Sequence, residues 1–239
     1  MTSHLENIRK DESVNRKTHY FSKFVMHHLG TMRILKGGGL LGRENSDWRN
    51  VSEHCIAEAV GVDILAEHLG ADRSSLVSAA LLHDWFKRTE KEMMSAEHKP
   101  HRMSASRENK TILRERYGVP ERVIDIAHAV VPERADEAYL QARTVEERIM
   151  HYIDAITSGT EFATSPRERI ARATQQRPDY VEDSESFRSL YLGKSFHELQ
   201  IELAEDEQTE FERQLHIPSG TLASFIMGKL QERITNNPR

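Results

Sequence analysis

The spacing of apolar residues along the chain predicts helices rather than strands. Apolar side chains recur at intervals of three and four from Tyr20 to Met32, from Ile56 to Leu69 and from Val123 to Val131. Such spacing places them on one face of a helix. No segment shows a convincing alternation of apolar and polar residues, which a half-buried strand would require. The pattern therefore predicts an all-α protein.

Two segments are more apolar than a surface helix needs to be. The segment from Leu76 to Leu82 leads directly into His83 and Asp84. The segment from Val145 to Ser158 is apolar on more than one side and has Asp154 in its middle. A helix that is apolar on several sides is normally buried. These polar residues therefore stand where the pattern predicts burial.

Interruptions of the pattern suggest how the chain is organised. The glycines at 37–39 predict a connector, because no strand precedes them and no phosphate-loop lysine follows. The charged stretch 87–107 predicts a loop, and 160–185 predicts a linker or short helices. We expect a single helical bundle with an N-terminal helical extension over 1–44, a core over 45–160 and C-terminal helices over 161–239.

Local signals predict where several helices begin. Asn50 or Ser52 is expected to cap the helix that carries His54, and Ser74 or Ser75 is expected to start the next one. The remaining helices are expected near 109–117, 186–215 and 219–234.

Composition and charge narrow the classes of function. The net charge of −5, with both signs mixed along the chain, creates no overall basic field for nucleic acid and no polybasic membrane anchor. The N-terminus does not read as a signal peptide, and no segment is apolar for long enough to span a bilayer. The single cysteine, Cys55, excludes an internal disulfide and is expected to be a buried thiol. We therefore expect a cytoplasmic protein without nucleic-acid or membrane partners.

Polar residues at predicted buried positions are the candidates for chemistry. A buried carboxylate is costly unless it is protonated or paired with a cation or a metal, and imidazole and carboxylate both bind divalent transition metals. Taken singly, His54 could be a helix-entry residue and Asp154 could pair with an arginine such as Arg148. Together with His83 and Asp84, they offer two imidazoles and two carboxylates from three helices.

The order His, His-Asp, Asp on successive helices resembles the signature of the HD superfamily of metal-dependent phosphohydrolases. Its matching residues here are His54, His83, Asp84 and Asp154. The stretch Asn50-Val51-Ser52-Glu53-His54 is similar to the one found in many members, including bacterial 5′-deoxynucleotidases. The resemblance covers roughly residues 45–160. It implies a helical HD-domain bundle in which these four residues hold one divalent ion, Mn²⁺, Fe²⁺, Co²⁺, Ni²⁺ or Zn²⁺.

The resemblance also implies roles for residues around the metal. Asp84 or Glu53 would orient the attacking water, and Lys87 with Arg49 would bind the phosphoryl group, with Arg88 as an alternative. His83-Asp84 followed by Lys87 resembles the phosphodiesterase branches, whereas the deoxynucleotidase-like branch usually has glutamate at that position. The expected activity is hydrolysis of a phosphate ester of a nucleotide or a similar small metabolite by a metal-activated water.

The sequence is compatible with two other functions. Branches with two metals have extra histidines before the last aspartate, which makes His101 and His128 candidate ligands of a second metal bridged by Asp84, with His98 a weaker substitute for His101. Two irons would favour an HD-type oxygenase. The other alternative is a nucleotide-binding sensor domain without turnover. The sequence leaves the substrate and the oligomeric state open, and a homo-oligomer is compatible with it.

Overall fold

The described part of the chain is almost entirely helical, as the hydrophobic pattern predicts. The computed structural model describes residues 2–37, 49–87, 101–130, 135–176 and 179–236. The helices within these ranges are α1 Thr2–Met26, α2 Leu29–Gly37, α3 Arg49–Leu69, α4 Arg73–Leu82, α5 His101–Glu115, α6 Glu121–His128, α7 Glu137–Ala142, α8 Val145–Ile156, α9 Pro166–Gln176, α10 Asp179–Glu185, α11 Phe196–Leu215 and α12 Leu222–Asn236. A small antiparallel hairpin pairs β1 Thr157–Ser158 with β2 Glu161–Phe162, and Arg188–Leu190 form a 3₁₀ turn.

Helix α3 lies at the centre of the fold and is buried on every side over its middle turns. All residues from Ala57 to Ala66 are buried. The helix packs most extensively against α4 and also contacts α1, α8, α11 and α12. Removing this much apolar surface from water is the main source of stability in such a bundle. Any polar side chain on this stretch of α3 is therefore enclosed by the protein.

A glycine sets how closely α3 approaches α8. A Cβ atom built on Gly61 would lie 3.0 Å from ring atoms of Phe162 and 3.1 Å from Ile153 Cγ2. These distances are shorter than a normal contact between carbon atoms. Since Ile153 adjoins Asp154, the absence of a side chain at position 61 lets α3 bring its polar residues next to the α8 carboxylate.

The first helices of the core begin at different residues from those predicted. Helix α3 already includes Arg49, so Asn50 and Ser52 lie within it. Helix α4 is capped by Asp72, whose Oδ1 accepts a hydrogen bond of 3.1 Å from the Ser75 amide. The predictions of an Asn50 or Ser52 cap and of a start at Ser74 or Ser75 were wrong. A carboxylate two or three positions earlier was the stronger cap for α4.

Two other boundaries differ from the sequence prediction. The predicted loop 87–107 is wrong at its end, because α5 begins at His101, while residues 88–100 lie outside the described ranges. The helix predicted over 186–215 begins only at Phe196. There Ser195 and Glu198 form a capping box, with each side chain accepting a hydrogen bond from the other residue's backbone amide. Reciprocal capping explains the later start.

The terminal helices pack on the central ones. Helix α11 lies against α8, and α12 lies against α3 and α1. A second, smaller apolar cluster gathers Ala135, Tyr191 and Leu199 beside the main core. Among the described helices, none has the length and apolar character needed to cross a membrane.

Candidate metal centre

Three helices bring four ligand-type side chains together. Helix α3 contributes His54 and Glu58, the C-cap of α4 contributes His83, and α8 contributes Asp154. One ligand atom from each lies within 4.8 Å of the others. The resemblance pointed to three of these residues and missed Glu58. The available signal was a glutamate one turn after His54, in a stretch whose pattern predicts burial.

Glu58 is a fully buried carboxylate between the two histidines. Its side chain is 0% exposed, with Oε1 2.8 Å from His54 Nε2 and Oε2 3.2 Å from His83 Nδ1. Neither oxygen makes a hydrogen bond of good geometry, and no lysine or arginine among the described residues pairs with it. Burial raises the pKa of Glu58, and the two imidazoles only partly oppose this. Among the described residues, the carboxylate therefore has no permanently charged cationic partner.

The contacts of His83 determine which ring nitrogen carries its proton. Nδ1 lies 2.8 Å from the Ala80 carbonyl oxygen and 3.2 Å from Glu58 Oε2, and both of these oxygens are acceptors. Nδ1 is therefore the donor, and in the neutral ring Nε2 has the lone pair. Nε2 is buried without a hydrogen-bond partner, 3.7 Å from Asp84 Oδ2 and 4.0 Å from Asp154 Oδ1. A lone pair beside two carboxylates is stable when a cation lies among them.

His54 holds a proton at the position where a cation is needed. Its Nε2 lies 2.8 Å from Glu58 Oε1 and 3.6 Å from Asp154 Oδ1. Burial opposes a charged imidazole, but the two carboxylates outweigh it and raise the pKa of His54 to about 10. A metal ligand must be an unprotonated imidazole, so a proton and a metal compete for this nitrogen.

Asp154 is held by groups from the C-terminal part of the chain. Gln200 of α11 donates a hydrogen bond of 3.0 Å to Oδ2, and Arg169 Nη2 of α9 lies 3.8 Å from Oδ1. Burial alone would raise the pKa of Asp154, but the contacts with His54 and Arg169 keep it well below the usual value. Pairing with Arg148 was wrong, because the guanidinium of Arg148 lies over a different side chain, the Phe211 ring.

Asp84 and Lys87 lie on the more open side of the centre. Lys87 Nζ donates a hydrogen bond of 3.0 Å to Asp84 Oδ1. Burial would raise the pKa of Asp84, but the charges of Lys87, His83 and His54 lower it below its usual value. Exposure of the side chain rises from 2% at His83 to 26% at Lys87. Lys87 is therefore the more exposed end of this segment.

Several predicted site residues do not join the group. Glu53 is not part of the four-residue cluster, in which the glutamate is Glu58. His128 lies apart from it, with Nε2 3.5 Å from Asn109 Nδ2. The side chains of Arg49 and His101 and all of Arg88 and His98 lie outside what the structure describes. Their assigned roles stay predictions.

The donor set fits a divalent transition metal. Imidazole nitrogens and carboxylate oxygens suit Mn, Fe, Co, Ni and Zn, which bind such ligands at about 2.0–2.2 Å. Two ligands of one ion then lie no more than about 4.4 Å apart. The nitrogen–oxygen distances of 3.6, 3.7 and 4.0 Å around Asp84 and Asp154 satisfy this limit. The unpaired Glu58 carboxylate supplies the electrostatic reason for a cation.

Fold and site together define an all-α protein with a buried cluster of histidines and carboxylates that could hold a metal ion. The family model described as the HD domain matches residues 51–159, which include all four members of the cluster and Asp84. Residues 51–159 therefore match the HD domain, as the resemblance to this superfamily predicts. Comparison with curated proteins found no match, and comparison with solved structures found none either. HD domains occur mostly in metal-dependent hydrolases.

Proposed function

We propose that this protein is a metal-dependent phosphohydrolase that acts on a phosphate ester of a nucleotide or a similar small metabolite. The observation that carries the proposal is the arrangement around His83. Its Nε2 is buried without a hydrogen-bond partner beside Asp84 and Asp154, at distances suited to ligands of one ion. The HD-domain match supports the same class of reaction.

His54, His83, Asp84 and Asp154 would hold the metal, with Glu58 compensating its charge. A divalent metal in this position supplies polarisation of a phosphoryl oxygen and a lowered pKa of water. The chain's own residues orient these ligands. Ala80 and Glu58 keep the proton on His83 Nδ1, and Gln200 holds Asp154 by a hydrogen bond to Oδ2.

Lys87 is our candidate for contact with the phosphoryl group. It lies at the open side of the centre, and its ammonium group is 3.0 Å from Asp84. A cation at this edge would bind a phosphoryl oxygen and oppose the charge that builds up during hydrolysis. Asp84, held ionised by Lys87, would accept a hydrogen bond from the attacking water.

The test is phosphate release by the purified protein supplied with Mn²⁺ or Co²⁺. A generic aryl phosphate ester and a panel of nucleotides are offered as substrates. We expect turnover that needs the metal, and we expect the double variant His83→Ala with Asp84→Ala to fall to the rate measured without protein. The same variant should lose bound metal in elemental analysis.

A matched control replaces another adjacent pair on the same bundle. Glu67 and His68 of α3 are exposed and lie outside the four-residue cluster, so Glu67→Ala with His68→Ala should retain both turnover and metal. Unchanged turnover in the His83–Asp84 variant would overturn the proposal. Nucleotide binding without hydrolysis for every metal would favour a sensor domain instead.

A further inference from the structure

Polar contacts connect Trp85, Asn109 and His128, and Trp85 follows directly after Asp84 of the centre. Trp85, one residue after Asp84, donates its indole N–H to Asn109 Oδ1. The amide nitrogen of Asn109, Nδ2, lies 3.5 Å from His128 Nε2. Trp85 and Asn109 are 4% and 2% exposed, so both are held in the packed interior. These contacts join the end of α4 to α5 and α6.

The donor at one end of these contacts fixes the orientation of Asn109. An indole nitrogen can only donate, so the atom of Asn109 that faces Trp85 must be the amide oxygen. The NH₂ group of Asn109 therefore faces His128. An amide and its flipped form often cannot be distinguished by shape, but here the chemistry of Trp85 excludes the flipped form.

The orientation of Asn109 then fixes the proton on His128. Because the NH₂ group is a donor, His128 Nε2 must accept, and in a neutral imidazole the other nitrogen, Nδ1, carries the proton. His83 shows the opposite pattern, since acceptors at its Nδ1 leave Nε2 with the lone pair. The two histidines therefore differ in what they can offer a metal.

We propose that Asn109, oriented by Trp85, is a positioning residue that keeps His128 in its Nδ1–H form. In this form His128 does not act as a ligand of a second metal. Metal binding at Nε2 would displace the Asn109 amide, and binding at Nδ1 would require a proton to leave while Nε2 still accepts. The conclusion about metal number rests on the proposed metal centre, whereas the proton position does not.

The surroundings of His128 favour the neutral ring. Burial, the charge of Lys110 and the charge of His83 lower the pKa of His128 to about 3. The imidazole is therefore neutral at physiological pH and has a single N–H. This agrees with the Asn109 contact, in which Nε2 accepts and the one proton is on Nδ1.

Nitrogen NMR reads the proton position directly. In metal-free protein labelled with ¹⁵N on histidine, two-bond correlations between ring protons and ring nitrogens distinguish the two neutral forms. The signals of His128 are those that disappear in His128→Gln. We expect a protonated Nδ1 and an unprotonated Nε2 in the natural protein.

Two variants test whether Asn109 sets this position. Asn109→Asp still accepts from Trp85 but presents an acceptor to His128, so we expect the proton to move to Nε2. Trp85→Phe removes the donor that orients the amide, so we expect both neutral forms to be seen. An Nε2–H form in the natural protein, or an unchanged Nδ1–H form in Asn109→Asp, would overturn the proposal.

Metal stoichiometry tests the second part separately. Elemental analysis after loading with Mn²⁺ should give one ion per chain in the natural protein and one in His128→Ala. Two ions per chain, reduced to one by His128→Ala, would overturn the inference about metal number. Because the NMR measurement uses metal-free protein, its outcome does not depend on whether the protein hydrolyses phosphate esters.

Discussion

The protein buries a histidine next to a glutamate in two places, with different consequences. In the candidate metal centre, Glu58 contacts His54 and His83 and no other cation among the described residues. Between α8 and α11, Glu207 accepts from His151 Nδ1 at 2.7 Å and pairs with Arg143 Nη1 at 2.7 Å. Burial is similar in both places.

The difference lies in the permanent charge opposite each glutamate. Arg143 is always protonated, so it neutralises Glu207 at every relevant pH and needs no added ion. Among the residues that the structure describes, the ion-pair partners of Glu58 are imidazoles, which are charged when they hold an extra proton. Its compensating charge must therefore come from outside, as a proton or as a metal.

The Glu207 cluster is therefore a structural network, whereas the Glu58 cluster is a candidate site. A buried carboxylate paired with an arginine already has its charge balanced, so it needs no bound ion. A buried carboxylate whose positive partner is exchangeable leaves room for a bound cation. The two clusters therefore predict different responses to substitution.

The largest effect is expected when the arginine of the structural network is removed. Arg143→Met leaves Glu207 buried beside a histidine alone, which should lower the free energy of unfolding by about 3–5 kcal/mol. Metal content should stay unchanged because the network shares no residue with the centre. Urea unfolding and elemental analysis measure the two quantities.

A double variant checks the reason for that loss. Arg143→Met combined with Glu207→Gln removes the unpaired charge and should recover most of the lost stability. If the single variant unfolds at the same urea concentration as the natural protein, Glu207 does not depend on Arg143.

A change of the buried glutamate in the metal centre should cost much less stability. In the metal-free protein the positive partner of Glu58 is the proton on His54, and Glu58→Gln weakens the hold on that proton, so neither side chain needs to stay charged. The free energy of unfolding of the metal-free protein should therefore change by less than about 1 kcal/mol. The stabilisation that Mn²⁺ adds should shrink, since the ion loses an opposing charge; a 100-fold loss of affinity removes up to about 2.7 kcal/mol. Urea unfolding with and without Mn²⁺ measures both effects.

Glu212 offers a matched control for this variant. It is another buried glutamate, but its oxygens accept hydrogen bonds from the Gly220 and Leu222 amides at 3.0 and 2.9 Å. Glu212→Gln should therefore destabilise the protein and leave the effect of Mn²⁺ intact. A loss of stability in both variants would remove the contrast between the two glutamates.

The remaining effect is a pH dependence of stability that arises from His54. Its pKa is raised to about 10 in the folded state, against about 6.5 in an unfolded chain. The folded state therefore holds the proton longer. The resulting stability of the metal-free protein is complete below about pH 6.5 and is lost as the pH rises towards 10.

Metal binding should show the reverse dependence over the same range. Because a metal displaces the proton from His54, Mn²⁺ affinity should increase as the pH rises from 6.5 to 10. Titration calorimetry at several pH values measures this, and His54→Gln should flatten the curve. An affinity that falls over this range would contradict the assigned proton.

The local parts of the fold could be predicted from the sequence because they depend on near neighbours. The helices that carry His54 and Asp154 follow from apolar spacing, which reports one face of a helix. Their boundaries were harder to predict because several polar residues compete to cap a helix. Asp72 and Ser195 became caps, and Ser52 lies inside α3. Hydrogen-bond geometry decides which residue becomes the cap, and this geometry cannot be predicted from the residue types alone.

The candidate site was only partly accessible from sequence for a similar reason. His54, His83, Asp84 and Asp154 stand out because their order resembles a known family. Glu58 is not part of that family pattern, and the one sign of its role in the sequence is its position in a stretch of α3 that is predicted to be buried. The partners of Asp154 could not be inferred, because Arg169 and Gln200 lie on other helices and in charged segments with no local sign of their role.

By itself, the sequence determined the helical class and the positions of the metal-ligand candidates, because periodicity and residue order are properties of a linear chain. Only the tertiary structure decided which charges are compensated. The pairing of Glu207 with Arg143, the isolation of Glu58 and the orientation of Asn109 all depend on side chains from different helices. Whether a buried carboxylate becomes part of a structural network or a site depends on which cation the fold places beside it.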